Sequence, residues 1–135
     1  MNILVIDAQG GGIGRQVVTS IRKSFPQHHI TAIGTNSAAT SAMLKAGADD
    51  GATGENAVVV CCRTADIIIG PVGIVIADAL LGEITPKMAL AVGQSRARRI
   101  LIPVNHCANF IAGVGDLSVS RLVECVVSEL HQILD

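Results

Sequence analysis

The chain has no tryptophan and no tyrosine, and Phe25 and Phe110 are its only phenylalanines. Two aromatic rings cannot form a stacking platform for single-stranded nucleic acid. Charge is sparse as well: 16% of residues are charged, and ten basic against eleven acidic side chains leave a net charge of −1. That balance supplies no electrostatic surface for a phosphate backbone, so nucleic acid is excluded as a partner. Arg96, Arg98 and Arg99 form one short basic cluster, which reads as a solvated helix end leading into a strand. Cys61, Cys62, Cys107 and Cys125 lack the C-x-x-C spacing of a zinc site, and adjacent Cys61 and Cys62 make a poor disulfide framework. Small-hydrophobe roles suit the thiols, and no metal site is expected. The uncharged stretch 100–115 is broken by Pro103, Asn105, His106 and Asn109. It is also shorter than the roughly 20 apolar residues of a membrane span. With no basic leader before the first strand-like run, the expectation is a soluble cytoplasmic protein with reduced thiols.

What the chain has is aliphatic: half of its 135 residues are hydrophobic. Val, Ile, Leu and Ala suit helices packed tightly on a sheet. Residues 2–7 read as a buried strand. Ile13, Val17, Ile21 and Phe25 then recur every four residues, giving a helical stripe that Pro26 stops. Residues 29–34 form a second strand, completing a βαβ unit. Ser37 to Ala46 reads as a helix capped by Asn36 or Ser37 and ended by Gly47. Residues 48–56 read as a loop with room for a short edge strand. Residues 57–62 suit helix or strand; helix is preferred, with Thr53 as its cap.

Residues 65–69 lead into a buried strand that Gly70-Pro71-Val72-Gly73 breaks. Ile74 to Leu81 reads as a further helix, and Thr85-Pro86 starts another that Gly93 ends. Arg99 to Val104 is a strand whose Pro103 marks a sheet edge or a strand end. Phe110 to Ala112 reads as a last short strand. Ser118 caps a long C-terminal helix from Val119 to Leu134. No linker or repeat divides the sequence. The expected architecture is α/β: one doubly wound, three-layer, Rossmann-like domain over residues 1–135, with a mostly parallel sheet of four to six strands.

In such a sheet ligands bind beyond the C-terminal strand ends. Those ends here are the Asp7–Gly14 loop, Thr35 to Ser37, Gly70 to Gly73, and Asn105 to Cys107. Four glycines in five residues (Gly10, Gly11, Gly12 and Gly14) follow the first strand. Glycines admit a phosphate to the backbone, and a helix N-terminus faces it with free amides. Gly10, Gly11, Gly12, Ile13, Gly14 and Arg15 are therefore the primary binding candidates. Thr35, Asn36, Gly70, Pro71 and Asn105 are candidates for the surrounding wall.

The loop fits no single template. A dinucleotide G-x-G-x-x-G pattern starting at Gly10 meets Arg15 where its last glycine belongs. The short-chain dehydrogenase pattern meets Ala8 in place of its first glycine, and its catalytic tyrosine is missing. A deviant P-loop has Gly10, Arg15 and Gln16 where two lysines and a hydroxyl belong, which removes ATP hydrolysis by that route. Thr35 and Asn36 stand where dinucleotide folds place the ribose-reading acid, and neutral side chains there favour neither NAD nor NADP. Asp7 serves equally as a polar contact or as a cap of the glycine turn. Glu55 and Glu83 each place a carboxylate in a loop. His106 and Cys107 are neighbours that an extended segment would point apart.

The glycine loop, Gly34-Thr35-Asn36, Thr53-Gly54-Glu55-Asn56, Asp66 to Pro71, Gly82 to Pro86 and Ile102 to Asn105 together resemble a family of short bacterial proteins classed as a domain of unknown function. Its members open with a similar I-D-G-Q-G-G-G-I-G segment, with Ala8 here in place of a glycine. The resemblance implies a bacterial cytosolic origin and carries over no catalytic residue. The expectation is a binder of a nucleotide, an NAD(P)-like dinucleotide or another phosphorylated small molecule at Gly10–Gly14. Two rivals stand beside it: a small-metabolite enzyme using Glu55, Glu83 or His106, and a non-catalytic module. The high hydrophobic content also suggests a homodimer or higher homo-oligomer.

Overall fold

Asn2–Asp7 forms β1, buried from Ile3 to Asp7 as a strand covered on both faces must be. The computed structural model describes residues 1–104 and 108–135. After β1 come α1 (Gly12–Ser24), β2 (His29–Gly34), α2 (Ser37–Lys45), β3 (Asp50–Thr53), α3 (Glu55–Cys61) and β4 (Ile67–Pro71). A 3-10 turn at Val72–Val75, α4 (Pro86–Gln94), β5 (Arg98–Ile102) and α5 (Val119–Leu134) complete the order. Among the described residues the sheet has five strands, all parallel, in the order β3-β2-β1-β4-β5. The chain moves outward from β1 to β3, then crosses back to place β4 on the other side of β1. That reversal is the topological switch at which such sheets hold ligands.

Alternation along the strands builds two cores. Ile3, Val5, Ile67 and Ile69 face α1, α2 and α5, meeting Val17, Ile21, Met43, Val126 and Leu130. Leu4, Ile6, Ile33 and Ile68 face α3 and α4, meeting Val58, Met88 and Val92. Each large aliphatic side chain so buried contributes about 1.5–3 kcal/mol before entropy is counted. Phe25 closes the first core, its ring 4.6 Å from that of His131.

The helix caps follow the residue chemistry. Asn36, Thr85 and Ser118 each accept an amide three residues on, at Ala39, Met88 and Arg121. The segment 57–62, for which helix is preferred from sequence, lies in α3 and its C-cap Cys62, but the helix opens earlier, at Glu55, with Gly54 before it and no side-chain cap. Thr53 instead bonds the Thr40 hydroxyl at 2.7 Å.

Three expectations are corrected. Residues 74–81 are not a helix: beyond Val75 they form successive turns, with Asp78, Leu80 and Leu81 at φ 65°, 58° and 59°. No right-handed helix accommodates those angles. Strand β4 runs through Gly70 to Pro71 instead of breaking there. Residues 110–112 form no strand; Phe110 lies exposed in the connection between β5 and α5.

Candidate functional site

Three loops meet at the switch point, where sheets of this topology hold ligands in a crevice. The first follows β1. Asp7, buried at the strand end, accepts the Ala8 amide on Oδ1 at 2.8 Å and the Gly14 amide on Oδ2 at 2.7 Å. Its carboxylate thus occupies the inner position at the α1 N-terminus, where a fixed anion is favoured. Of the two sequence readings for Asp7, the turn cap is the one its bonds describe. Burial pushes its pKa up and the charge of Glu83 adds to that, against the amides of Gly14, Ala8 and Ile13.

The four glycines divide into two kinds. A Cβ at Gly11, whose φ is 75°, would lie 2.8 Å from the Ala39 Cα; one at Gly14 would lie 2.5 Å from the Met43 sulfur and 2.9 Å from the Asp7 Cβ. These two glycines let α1 approach α2 and β1. A Cβ at Gly10 or Gly12 would meet nothing within 4 Å. The amides of Gly10 and Gly12 also have no hydrogen-bond partner among the described residues. Ile13 is half-buried against the first core.

The second loop follows β2. Asn36 caps α2 through Oδ1, while its Nδ2 donates to the Gln9 carbonyl and to Glu83 Oε1, both at 2.9 Å. Thr35 donates its hydroxyl to the same Glu83 oxygen at 2.5 Å.

The third loop, between β4 and α4, supplies Glu83. Its backbone closes on itself: Asp78 N donates to the Ile84 carbonyl at 2.7 Å, Gly82 N to Asp78 and Glu83 N to Leu80. The Gln9 amide is the third donor to Glu83 Oε1, at 3.0 Å. Oε2 has no partner among the described residues. Against a partial burial that would raise it, the donors Thr35, Gln9 and Asn36 hold the Glu83 pKa below its ordinary value. The acid that β2 lacks thus arrives at Thr35 and Asn36 from across the switch point.

A single family model spans residues 2–135, that of a domain of unknown function, DUF3842. The chain belongs to the DUF3842 family. No curated protein matches this DUF3842 chain. Among solved structures it is similar to a nucleoside-diphosphate-sugar epimerase from Pseudomonas aeruginosa, at 16% identity and a TM-score of 0.49. That match covers 95% of the DUF3842 chain and 46% of the epimerase, so the chain spans about half of that protein's length. It is also similar to a dodecameric FMN-dependent UbiX-like decarboxylase from Escherichia coli O157:H7, at 14% identity and a TM-score of 0.44, covering 96% and 94% of the two chains. The DUF3842 fold is Rossmann-like by its own strand order.

The remaining candidates are scattered. Pro71 ends β4 beside the crevice, and Gly70 is glycine because a Cβ there would lie 2.5 Å from the Ile6 carbonyl. Arg15 is exposed and lines a groove of about 610 Å³ between α1 and α5, together with Thr19, Lys23 and Glu124. Glu55 opens α3 and shares no hydrogen bond with Glu83. Asn105, His106 and Cys107 lie outside the described residues. Burial, with Cys61 beside it, pushes the Cys62 thiol up to about 11, which makes it a poor nucleophile. Among the described residues no helix is long and apolar enough to cross a membrane, and no three His, Cys, Asp or Glu side chains group as metal ligands.

From sequence Glu83 reads as a loop carboxylate or as an acid–base residue of a small-metabolite enzyme, and not as a partner of Thr35 and Asn36. The signal that would have found its place is the strand order, since Glu83 meets Thr35 across 48 residues.

Proposed function

We propose that this chain binds a nucleotide or another phosphorylated small molecule in the crevice, with phosphate on the amides of Gly10 and Gly12. The observation that carries this reading is the division of the glycines. Packing accounts for Gly11 and Gly14, whereas Gly10 and Gly12 face open space and present unpartnered amides at the start of a 13-residue helix. A side chain there would obstruct only something arriving from outside, which is the role of the middle glycine in dinucleotide-binding loops. Thr35, Asn36 and Pro71 form the walls. Asp7 secures the loop from within, holding the amides of Ala8 and Gly14.

Titration calorimetry with inorganic pyrophosphate and nucleoside diphosphates tests the proposal. Gly12→Ala introduces no clash and should fold with unchanged or slightly raised Tm, because alanine is the better helix residue. Its affinity for these ligands should fall by about tenfold or more, the effect of losing one charge-assisted contact. Binding by Gly12→Ala equal to that of the wild type, or no binding by the wild type, rejects the reading.

A further inference from the structure

We infer that Glu83, set by Thr35, Asn36 and Gln9, reads the vicinal diol of a ribose, so that the ligand class is a nucleotide with an unsubstituted ribose. The inference rests on the phosphate cradle proposed above and narrows what that cradle holds.

Three donors, from two loops, converge on the single oxygen Oε1 of Glu83: the Gln9 amide at 3.0 Å, the Thr35 hydroxyl at 2.5 Å and the Asn36 amide at 2.9 Å. Asn36 is itself immobilised, because its Oδ1 caps α2 and its Nδ2 also holds the Gln9 carbonyl. The carboxylate is therefore locked by one oxygen while Oε2 stays uncommitted among the described residues. Because the Thr35 hydroxyl spends its proton on Glu83, its oxygen is left as an acceptor. Two acceptors, Glu83 Oε2 and Thr35 Oγ1, are then linked through Oε1 at the end of β2. That arrangement matches two adjacent hydroxyl donors.

Position agrees with chemistry. The Gln9 amide that holds Glu83 is the residue before Gly10, so the acceptor pair adjoins the open glycines. A phosphate on those amides leaves an attached sugar facing Thr35 and Glu83. The pair offers no donor, and its charge opposes a phosphate on the sugar. A 2′-phosphorylated ribose is excluded on both counts.

The test compares binding of ADP, GDP, CDP and UDP with their 2′-deoxy counterparts, of NAD with NADP, and of inorganic pyrophosphate, to wild type and Glu83→Gln. Wild type should prefer ribose over deoxyribose, and NAD over NADP, on the order of 10–100-fold, as a lost hydrogen bond to a charged group requires. Glu83→Gln should bring the NAD to NADP ratio toward one while pyrophosphate binding persists. Pyrophosphate binding without any ribose preference overturns this inference and leaves the anion cradle intact. So does a ribose preference that survives in Glu83→Gln. Absence of binding by every probe, pyrophosphate included, removes the cradle and this inference with it. Because the ribose comparison is made on the wild type, it does not depend on the variant folding.

Discussion

The loops after β1 and β4 meet in one crevice but are built on opposite plans. The first turns within four residues, from Ala8 to Gly11, and places glycine at Gly11, where a neighbouring backbone comes too close for a Cβ. The second takes residues 72–85, and three of its left-handed positions are Asp78, Leu80 and Leu81. Left-handed φ in residues with a Cβ costs on the order of 1–2 kcal/mol each. Where space is shortest, at Gly11, the chain has removed the side chain; around Glu83 it has accepted strain, at Gln9 in the first loop (φ 52°) as well as at the three positions in the second. Strained backbone of this kind persists only when its surroundings hold it. Here the hold is the web of turn hydrogen bonds from Asp78 to Ile84, with Leu80 and Ile84 buried in the second core.

Substitutions can pull the two plans apart. The largest effect is expected at Gly11→Ala, which combines a left-handed φ with a Cβ 2.8 Å from the Ala39 backbone. Strain and overpacking together should cost about 3 kcal/mol in urea unfolding. Gly14→Ala should cost less, because its nearest neighbour is the flexible end of Met43. Equal stability of Gly11→Ala and wild type would show that the first loop is not governed by close approach.

In the second loop the sign reverses. Leu81 is 94% exposed, so Leu81→Gly sacrifices almost no packing and relieves a left-handed φ. It should stabilise the protein by roughly 1 kcal/mol, read as a rise in Tm. A lower Tm would mean that the Leu81 backbone is not strained.

The smallest contrast lies in pH. Folded Asp7 has a raised pKa and folded Glu83 a lowered one. Acidification through roughly pH 4, the ordinary carboxylate range, protonates Asp7 in the folded state before the unfolded state. The stability of wild type relative to Asp7→Asn should therefore rise as pH falls. Glu83 behaves oppositely: its contribution is present above its unfolded pKa and is lost as pH falls through the folded one. The stability of wild type relative to Glu83→Gln should shrink over the same range. Urea unfolding series at stepped pH measure both trends, and parallel trends would contradict the opposed environments.

The same two loops mark how far the sequence can be read. The first was legible because its rules are local: an apolar strand, a glycine turn, then a stripe from Ile13 to Phe25 fall within one short stretch of chain. Asn36, Thr85-Pro86 and Ser118 were legible as helix starts for the same reason. Residues 74–81 of the second loop read as a helix because Ile74, Val75, Ile76, Ala77, Ala79, Leu80 and Leu81 have helix-compatible side chains. Nothing in a leucine announces a positive φ; the web of turn hydrogen bonds from Asp78 to Ile84 imposes it. Glu83 was visible as a carboxylate but not as a partner of Thr35. The apolar parallel strands β1, β2 and β4 look alike in sequence, and only the return of β4 to β1 brings residue 83 back to residue 35.

That return also sets an order of assembly. The β1–α1–β2 unit closes over short stretches of chain, whereas the three bonds to Glu83 span 74, 48 and 47 residues. Contacts of long sequence separation form late, because the chain must lose its loop entropy before they reward it. A partly folded chain thus carries the glycine loop without its clasp. The crevice becomes complete only when the last switch of direction is made, so the site itself records that folding has finished.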